Sequence, residues 1–136
     1  MKVLKKVSAT LGSLAVAGSL MVLSTPDAHA ATGLNYLEEG SYGAGVACAQ
    51  WAENWYLDPQ YPHVPIAVDG SFGPKTYAET KWFQEQEGLS QDGVIGPQTG
   101  GKVIAVINQY MNYDGDLKIW NGYWLSDCYY HVPTSY

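Results

Sequence analysis

The sequence predicts a mainly α protein with a C-terminal β-hairpin, on three observations. Apolar residues recur at helical spacing from Ala44 to Trp55; a turn-plus-helix-start motif occurs twice, 23 residues apart; and Asn121-Gly122 sits between two aromatic-rich runs. The chain has 136 residues, 13% of them aromatic, with 13 acids and seven lysines but no arginine.

Lys2, Lys5 and Lys6 precede an uncharged run, 7–26, that ends shortly before Ala28-His29-Ala30. A charged start, an apolar centre around 11–23 and an A-x-A site read as a secretory signal peptide cleaved after Ala30. The run is too short and too rich in Gly and Ser to read as a membrane span. With no twin arginine and no cysteine at the cleavage site, the general export route without lipidation is expected. Residues 31–136 then carry four lysines, twelve acids and all 18 aromatics, a formal charge of −8. That length suits one domain with a modest core, expected to be a monomer. Four scattered lysines cannot neutralise a row of phosphates, so nucleic acid is excluded as a partner, and an anionic membrane surface is disfavoured.

Residues 31–43 hold glycine and acid with little periodicity, and read as an ordered arm or a loose lead-in. In the next segment Ala44, Cys48, Trp51, Ala52 and Trp55 fall on one helical face. Asp58-Pro59 stops that helix, because proline disfavours helix in the residue before it. Pro59, Pro62 and Pro65 stiffen the connection to Ala67.

Asp69-Gly70-Ser71-Phe72-Gly73-Pro74-Lys75-Thr76 is then echoed by Asp92-Gly93-Val94-Ile95-Gly96-Pro97-Gln98-Thr99. Asp-Gly makes a tight turn, since glycine tolerates positive φ and Asp caps its own turn. One apolar residue (Phe72, Ile95) plugs inward. Gly-Pro opens a helix with proline at its first position, where the missing N–H costs nothing. The helix from Pro74 is expected to reach Gly88, a C-terminal cap, with Leu89 re-entering the core.

Val46, Ala49-Gln50, Asn54, the two repeats, Val68, Phe83-Gln84 and Gly88-Leu89 together resemble the peptidoglycan-binding module found at the ends of many bacterial cell-wall hydrolases. The resemblance spans about 54 residues and is more specific in its second half. It implies a small three-helix bundle and non-catalytic binding to cell-wall peptidoglycan. The chain departs from the family at Glu79 and Thr80, where small or branched apolar residues are usual, and at Glu53, in place of a core leucine. The family register also buries Val46 and Ala49 rather than the Cys48, Trp51, Trp55 face. That second face is then expected to pack against the tail through Cys48 or to meet ligand.

Beyond the resemblance, Val103, Ile104, Ile107 and Met111 fit a helix, although Gly100-Gly101 weakens its start and a β-strand stays open. Residues 117–120, Asn121-Gly122 and residues 123–125 read as strand, type I′ turn and strand. Trp120 and Trp124 are expected to pack across that hairpin. Cys48 and Cys128, the only cysteines, suit a disulfide in an oxidising compartment, stapling the hairpin to the first helix as a flap. A free catalytic thiol would need His63 or His131 as a partner. The expected organisation is therefore 1–30 signal peptide, 31–43 arm, 44–102 peptidoglycan-binding module and 103–136 disulfide-tied extension.

Catalysis finds little support. His63 and His131 lie in no metal-ligand motif, Asp114-Gly115-Asp116 lacks the spacing of a calcium loop, and no cofactor is expected. The carboxylates Glu38, Glu39, Glu85 and Glu87 lack a deep groove of the kind a glycosidase needs. Aromatic rings match the flat faces of sugars. On the helix after Pro74, Trp82 lies about 100° and Tyr77 about 120° from the core residue Phe83, at or beyond the edge of the buried face. The expected ligand-contacting set is Tyr77, Trp82, Gln86, Trp51 and Trp55, with no catalytic and no metal-binding residue. The expected function is peptidoglycan binding by a secreted, wall-associated protein, of Gram-positive origin. A small wall hydrolase, or a secreted protein-interaction or inhibitor domain, is the alternative.

Overall fold

The computed structural model describes residues 36–56 and 64–135. The expected signal peptide, the start of the arm, Asp58-Pro59, Pro62 and His63 lie outside the described residues. Three α-helices form the body: α1 (Ala44–Trp55), α2 (Pro74–Gln86) and α3 (Pro97–Asp114). They are followed by β1 (Lys118–Trp120), β2 (Tyr123–Trp124) and a 3₁₀ helix, Leu125–Tyr130. The expected bundle with its hairpin flap is the fold observed.

Helix α1 is buried nearly all round, with Val46, Ala47, Cys48, Ala49, Ala52 and Glu53 all inaccessible. Of the two faces read from the sequence, the one with Val46 and Ala49 is fully inside, while Trp51 and Trp55 on the other are half-buried. The bundle takes Val46 and Ala49, and Cys128 joins Cys48 with Cα atoms 5.7 Å apart. Trp51 and Trp55 stack on each other and meet Tyr110 of α3 edge-on, at 4.9 and 5.4 Å.

Helix α2 opens at Pro74 and closes as the sequence predicts. The Gly88 N–H donates to the Glu85 carbonyl and the Leu89 N–H to the Gln84 carbonyl, a Schellman closure. Leu89 is only half-buried, and it lines a surface cleft rather than re-entering the core. Helix α3 runs unbroken through Gly100-Gly101 for 18 residues, which excludes the strand. The 102/103 boundary therefore falls inside it. A Cβ on Gly100 would collide with the Pro133 carbonyl oxygen, while one on Gly101 would meet nothing. Gly100 is the point where the C-terminal tail crosses α3.

Asn121 and Gly122 both have positive φ (42° and 87°), as a type I′ turn requires. Trp120 pairs with Tyr123 and Lys118 with Trp124, with a register irregularity between the two pairs. The expected Trp120–Trp124 contact is thus replaced by a Trp120–Tyr123 stack and by the Lys118 ammonium over the Trp124 ring. The two-residue turn already assigns position 123 to Trp120, and the irregularity shifts Trp124 onto Lys118.

The arm from Tyr36 to Gly43 is ordered and straps both plugs. Leu37 and Ile95 exchange backbone hydrogen bonds at 3.1 and 2.9 Å, while Gly40 donates to Phe72 and Phe72 to Ser41, both at 2.9 Å. Buried peptide groups that no helix serves are satisfied in this way.

Candidate functional site

The repeated motif folds into two copies of one hydrogen-bonded unit, each centred on a glutamine. The Gln50 side-chain amide donates to Asp69 Oδ1, the Ser71 carbonyl and Thr76 Oγ1, all at 3.0 Å. Its Oε1 accepts from the Asp69 and Gly70 N–H groups. Gln84 repeats this with Asp92 Oδ1 at 2.8 Å, the Val94 carbonyl at 3.0 Å and Thr99 Oγ1 at 3.1 Å, and accepts from Gly93. Both glutamines are buried, so these bonds replace the water the amide would otherwise need.

Gly70 and Gly93 adopt φ of +72° and +73°, open to glycine at no steric cost. An aromatic ring roofs each one: a Cβ on Gly70 would lie 2.7 Å from the Trp120 ring, and one on Gly93 would collide with the Tyr77 ring. The flap therefore covers the first turn, and Trp82 meets Tyr56 edge-on at 6.1 Å.

A surface cleft opens beside each unit. The first, about 410 Å³, is lined by Ile66, Ala67, Asp69, Ser71, Gly73 and Thr76. The second, about 510 Å³, is lined by Leu89, Ser90, Asp92, Val94, Gly96 and Thr99. Every position of the second set is the first set shifted by 23, and the shift extends to Pro74 with Pro97 and Lys75 with Gln98. Tyr36 from the arm and Ser135 from the tail add a wall to the second cleft alone.

The electrostatics are those of a framed surface. Two hydrogen bonds, from the Ser71 N–H and then the Gln50 amide, hold the exposed Asp69 carboxyl below the usual range. It stays ionised and committed to its turn. The raised carboxyl is Glu53, pushed well up by complete burial, with Glu79 adding to the rise and the Thr80 hydroxyl opposing it. That group is sealed between α1 and α2, away from solvent. His131 is exposed, packed edge-on by Tyr123. Among the described residues no group of three or more His, Cys, Asp or Glu could hold a metal ion, and no helix is long and apolar enough to cross a membrane.

The structure separates the five residues expected to touch ligand. Trp51 and Trp55 form the half-buried cluster with Tyr110; Trp82 sits against Tyr56; Tyr77 lies over Gly93 with the Lys81 ammonium 5.7 Å from its ring centroid. Gln86 is half-buried in the last turn of α2. None of the five lines either cleft. The signal for the clefts lay in the repeat itself, because Ile66-Ala67 and Leu89-Ser90 stand at the same distance before the two Asp-Gly turns.

Residues 54–102 match the family described as putative peptidoglycan binding domain. An uncharacterized protein in the bpoA1 3' region of Kitasatospora aureofaciens is 31% identical over 83 residues, 61% of this chain and 60% of its own length. Zinc D-Ala-D-Ala carboxypeptidase of Streptomyces albus G is 39% identical over 67 residues, 49% of this chain and 25% of its own. The chain thus spans less than two thirds of either relative. Among solved structures, the SleB N-terminal domain aligns with a TM-score of 0.43 and 28% identity over 52% of this chain and 90% of that one.

Proposed function

We infer, for a chain that carries a peptidoglycan-binding module over residues 54–102, that the protein holds cell-wall peptidoglycan without catalysing a reaction on it. Export through residues 1–30 and association with a Gram-positive wall complete the reading. The observation that carries it is the pair of clefts beside the glutamine-centred turns. Both are open surfaces whose carboxylates, Asp69 and Asp92, are tied into turns by backbone N–H groups at 2.9 Å. A general acid needs a raised pKa within reach of substrate. Asp69 is shifted the opposite way, and Glu53, the raised group, is fully buried. Contact with the glycan or its peptides then comes from hydrogen bonding and ring contact in the clefts, with Tyr77 beside them.

Sedimentation with purified sacculi tests this. The protein is expected in the pellet, with no new reducing ends or free amines in the supernatant. At a formal charge of −8 after cleavage, moderate salt is expected to leave binding unchanged or improve it, because screening weakens repulsion from an anionic wall. Released sugar ends or amines would establish a hydrolase instead. Failure to sediment would overturn the peptidoglycan reading.

A further inference from the structure

We propose that the two clefts are paired subsites that hold two successive units of one wall-polymer chain, with Tyr77 between them. The proposal rests on the peptidoglycan reading above and goes beyond it by assigning where the repeating ligand sits and how many units it engages.

Two cavities lined by the same motif at a constant offset of 23 residues present nearly the same chemistry twice. Each offers an apolar residue (Ile66, Leu89), a small neighbour (Ala67, Ser90), a turn carboxylate and a Gly-Pro edge. A ligand unit that fits the first therefore fits the second, and a polymer of repeating disaccharide-peptide units supplies two such units on one molecule. The clefts lie at the two ends of α2: the first takes in Gly73, Pro74 and Thr76 at its start, the second Leu89 and Ser90 just past its end. Their hydrogen-bonded anchors Thr76 and Gln84 stand eight residues apart on that helix, about 12 Å along its axis. Tyr77 joins them, following Thr76 of the first cleft directly while its ring rests on Gly93, between Asp92 and Val94 of the second.

The subsites are not identical. A Cβ at Gly73 would meet open space, whereas at Gly96 it would lie 2.6 Å from the Tyr36 ring. Lys75 at the first cleft is replaced by Gln98 at the second. The first is the smaller and more cationic, the second the larger and more walled. Engaging both with one strand makes the second contact intramolecular, which raises the affinity for polymer well above that for a single unit.

The test uses two probes, a soluble disaccharide-tetrapeptide fragment and intact sacculi, with the parent protein, Ala67→Trp and Ser90→Trp. Both positions are exposed, and melting curves verify that the variants fold. Ala67→Gln and Ser90→Gln serve as smaller plugs should either tryptophan disturb the fold. The fragment is expected to shift amide resonances in both segments, 66–76 and 89–99. Each variant is expected to lose one set, keep the other, and bind sacculi at least tenfold more weakly. Shifts confined to one segment, or a variant that binds sacculi like the parent, would overturn the pairing and leave the peptidoglycan reading standing. If the parent bound neither probe, that reading would fall with it.

Discussion

Thr80 donates its hydroxyl hydrogen to Oε1 of Glu53 at 2.8 Å across the α1–α2 interface, and both residues are completely inaccessible to solvent. These are two of the positions at which the sequence departs from the apolar pattern of the module it resembles, and the departures meet each other. Glu79, the third, is 9% exposed and close enough to raise the Glu53 pKa further. The polar side chain on one helix thus supplies a donor to the polar side chain on the other.

The sign of the pH dependence follows. Burial holds the folded-state pKa of Glu53 well above that of the same carboxyl in the unfolded chain. Between those two values the folded state binds the extra proton, so stability falls as pH rises through that window and levels off above it. Urea melts from pH 4 upward should show this decline, and Glu53→Gln should flatten it relative to the parent. An identical pH profile in the two proteins would mean that Glu53 carries no such linkage.

Replacing the pair by apolar residues should stabilise the bundle. Glu53→Leu with Thr80→Val removes a desolvated carboxyl and its partner together, a change that is often neutral or stabilising by about 1–4 kcal/mol. Thr80→Val alone leaves the carboxyl without its donor and should cost about 1–3 kcal/mol. A double-mutant cycle measured by denaturant melts checks both.

The glutamine hubs should matter about equally despite their different surroundings. Gln50→Ala or Gln84→Ala strands several buried donors and acceptors, and each should cost roughly 3 kcal/mol. Thermal melts check this; a loss below about 1 kcal/mol at either site would mean that water replaces the amide there.

Gly100 and Gly101 should respond in opposite directions. Gly101→Ala meets no atom within 4 Å and should stabilise α3 by about 0.5–1 kcal/mol through lower chain entropy. Gly100→Ala drives its methyl into the Pro133 carbonyl, so it should destabilise the protein or displace residues 131–135. Melts and backbone amide shifts of the tail separate these outcomes.

Reduction of Cys48–Cys128 should destabilise strongly. The bridge closes a separation of 80 residues, which the chain-entropy model values at about 4.5 kcal/mol. Paired melts with and without reductant measure it. The flap should loosen first, because the hairpin and the 3₁₀ helix bury fully only Leu125 and Cys128.

The parts of the fold legible in the sequence were those governed by short-range chemistry. The start of α1, the proline starts of α2 and α3, the glycine closure of α2 and the Asn-Gly turn all depend on residues within a few positions of one another. The clefts were less legible. Their lining was visible as a repeat, but the repeat read first as turn plus helix start. Whether such a turn leaves a cavity depends on what covers it, and the arm, the flap and the tail arrive from far along the chain. The aromatic set expected to touch ligand shows the same limit: helical angles placed Trp82 near an edge and Trp51 and Trp55 on a second face of α1, but could not place Tyr56 or Tyr110 beside them.

By itself the sequence determined the helices, the repeat and the resemblance to a wall-binding module, because turn, cap and period are written locally. Tertiary structure alone decided that α1 packs against the bundle on one face and against Tyr110 on the other, that Thr80 donates to the buried Glu53, and that Gly100 is a crossing point for the tail. It also set two matched clefts at the ends of α2. Each of these depends on which distant segments share a volume, and close packing settles that only when the whole chain is in place.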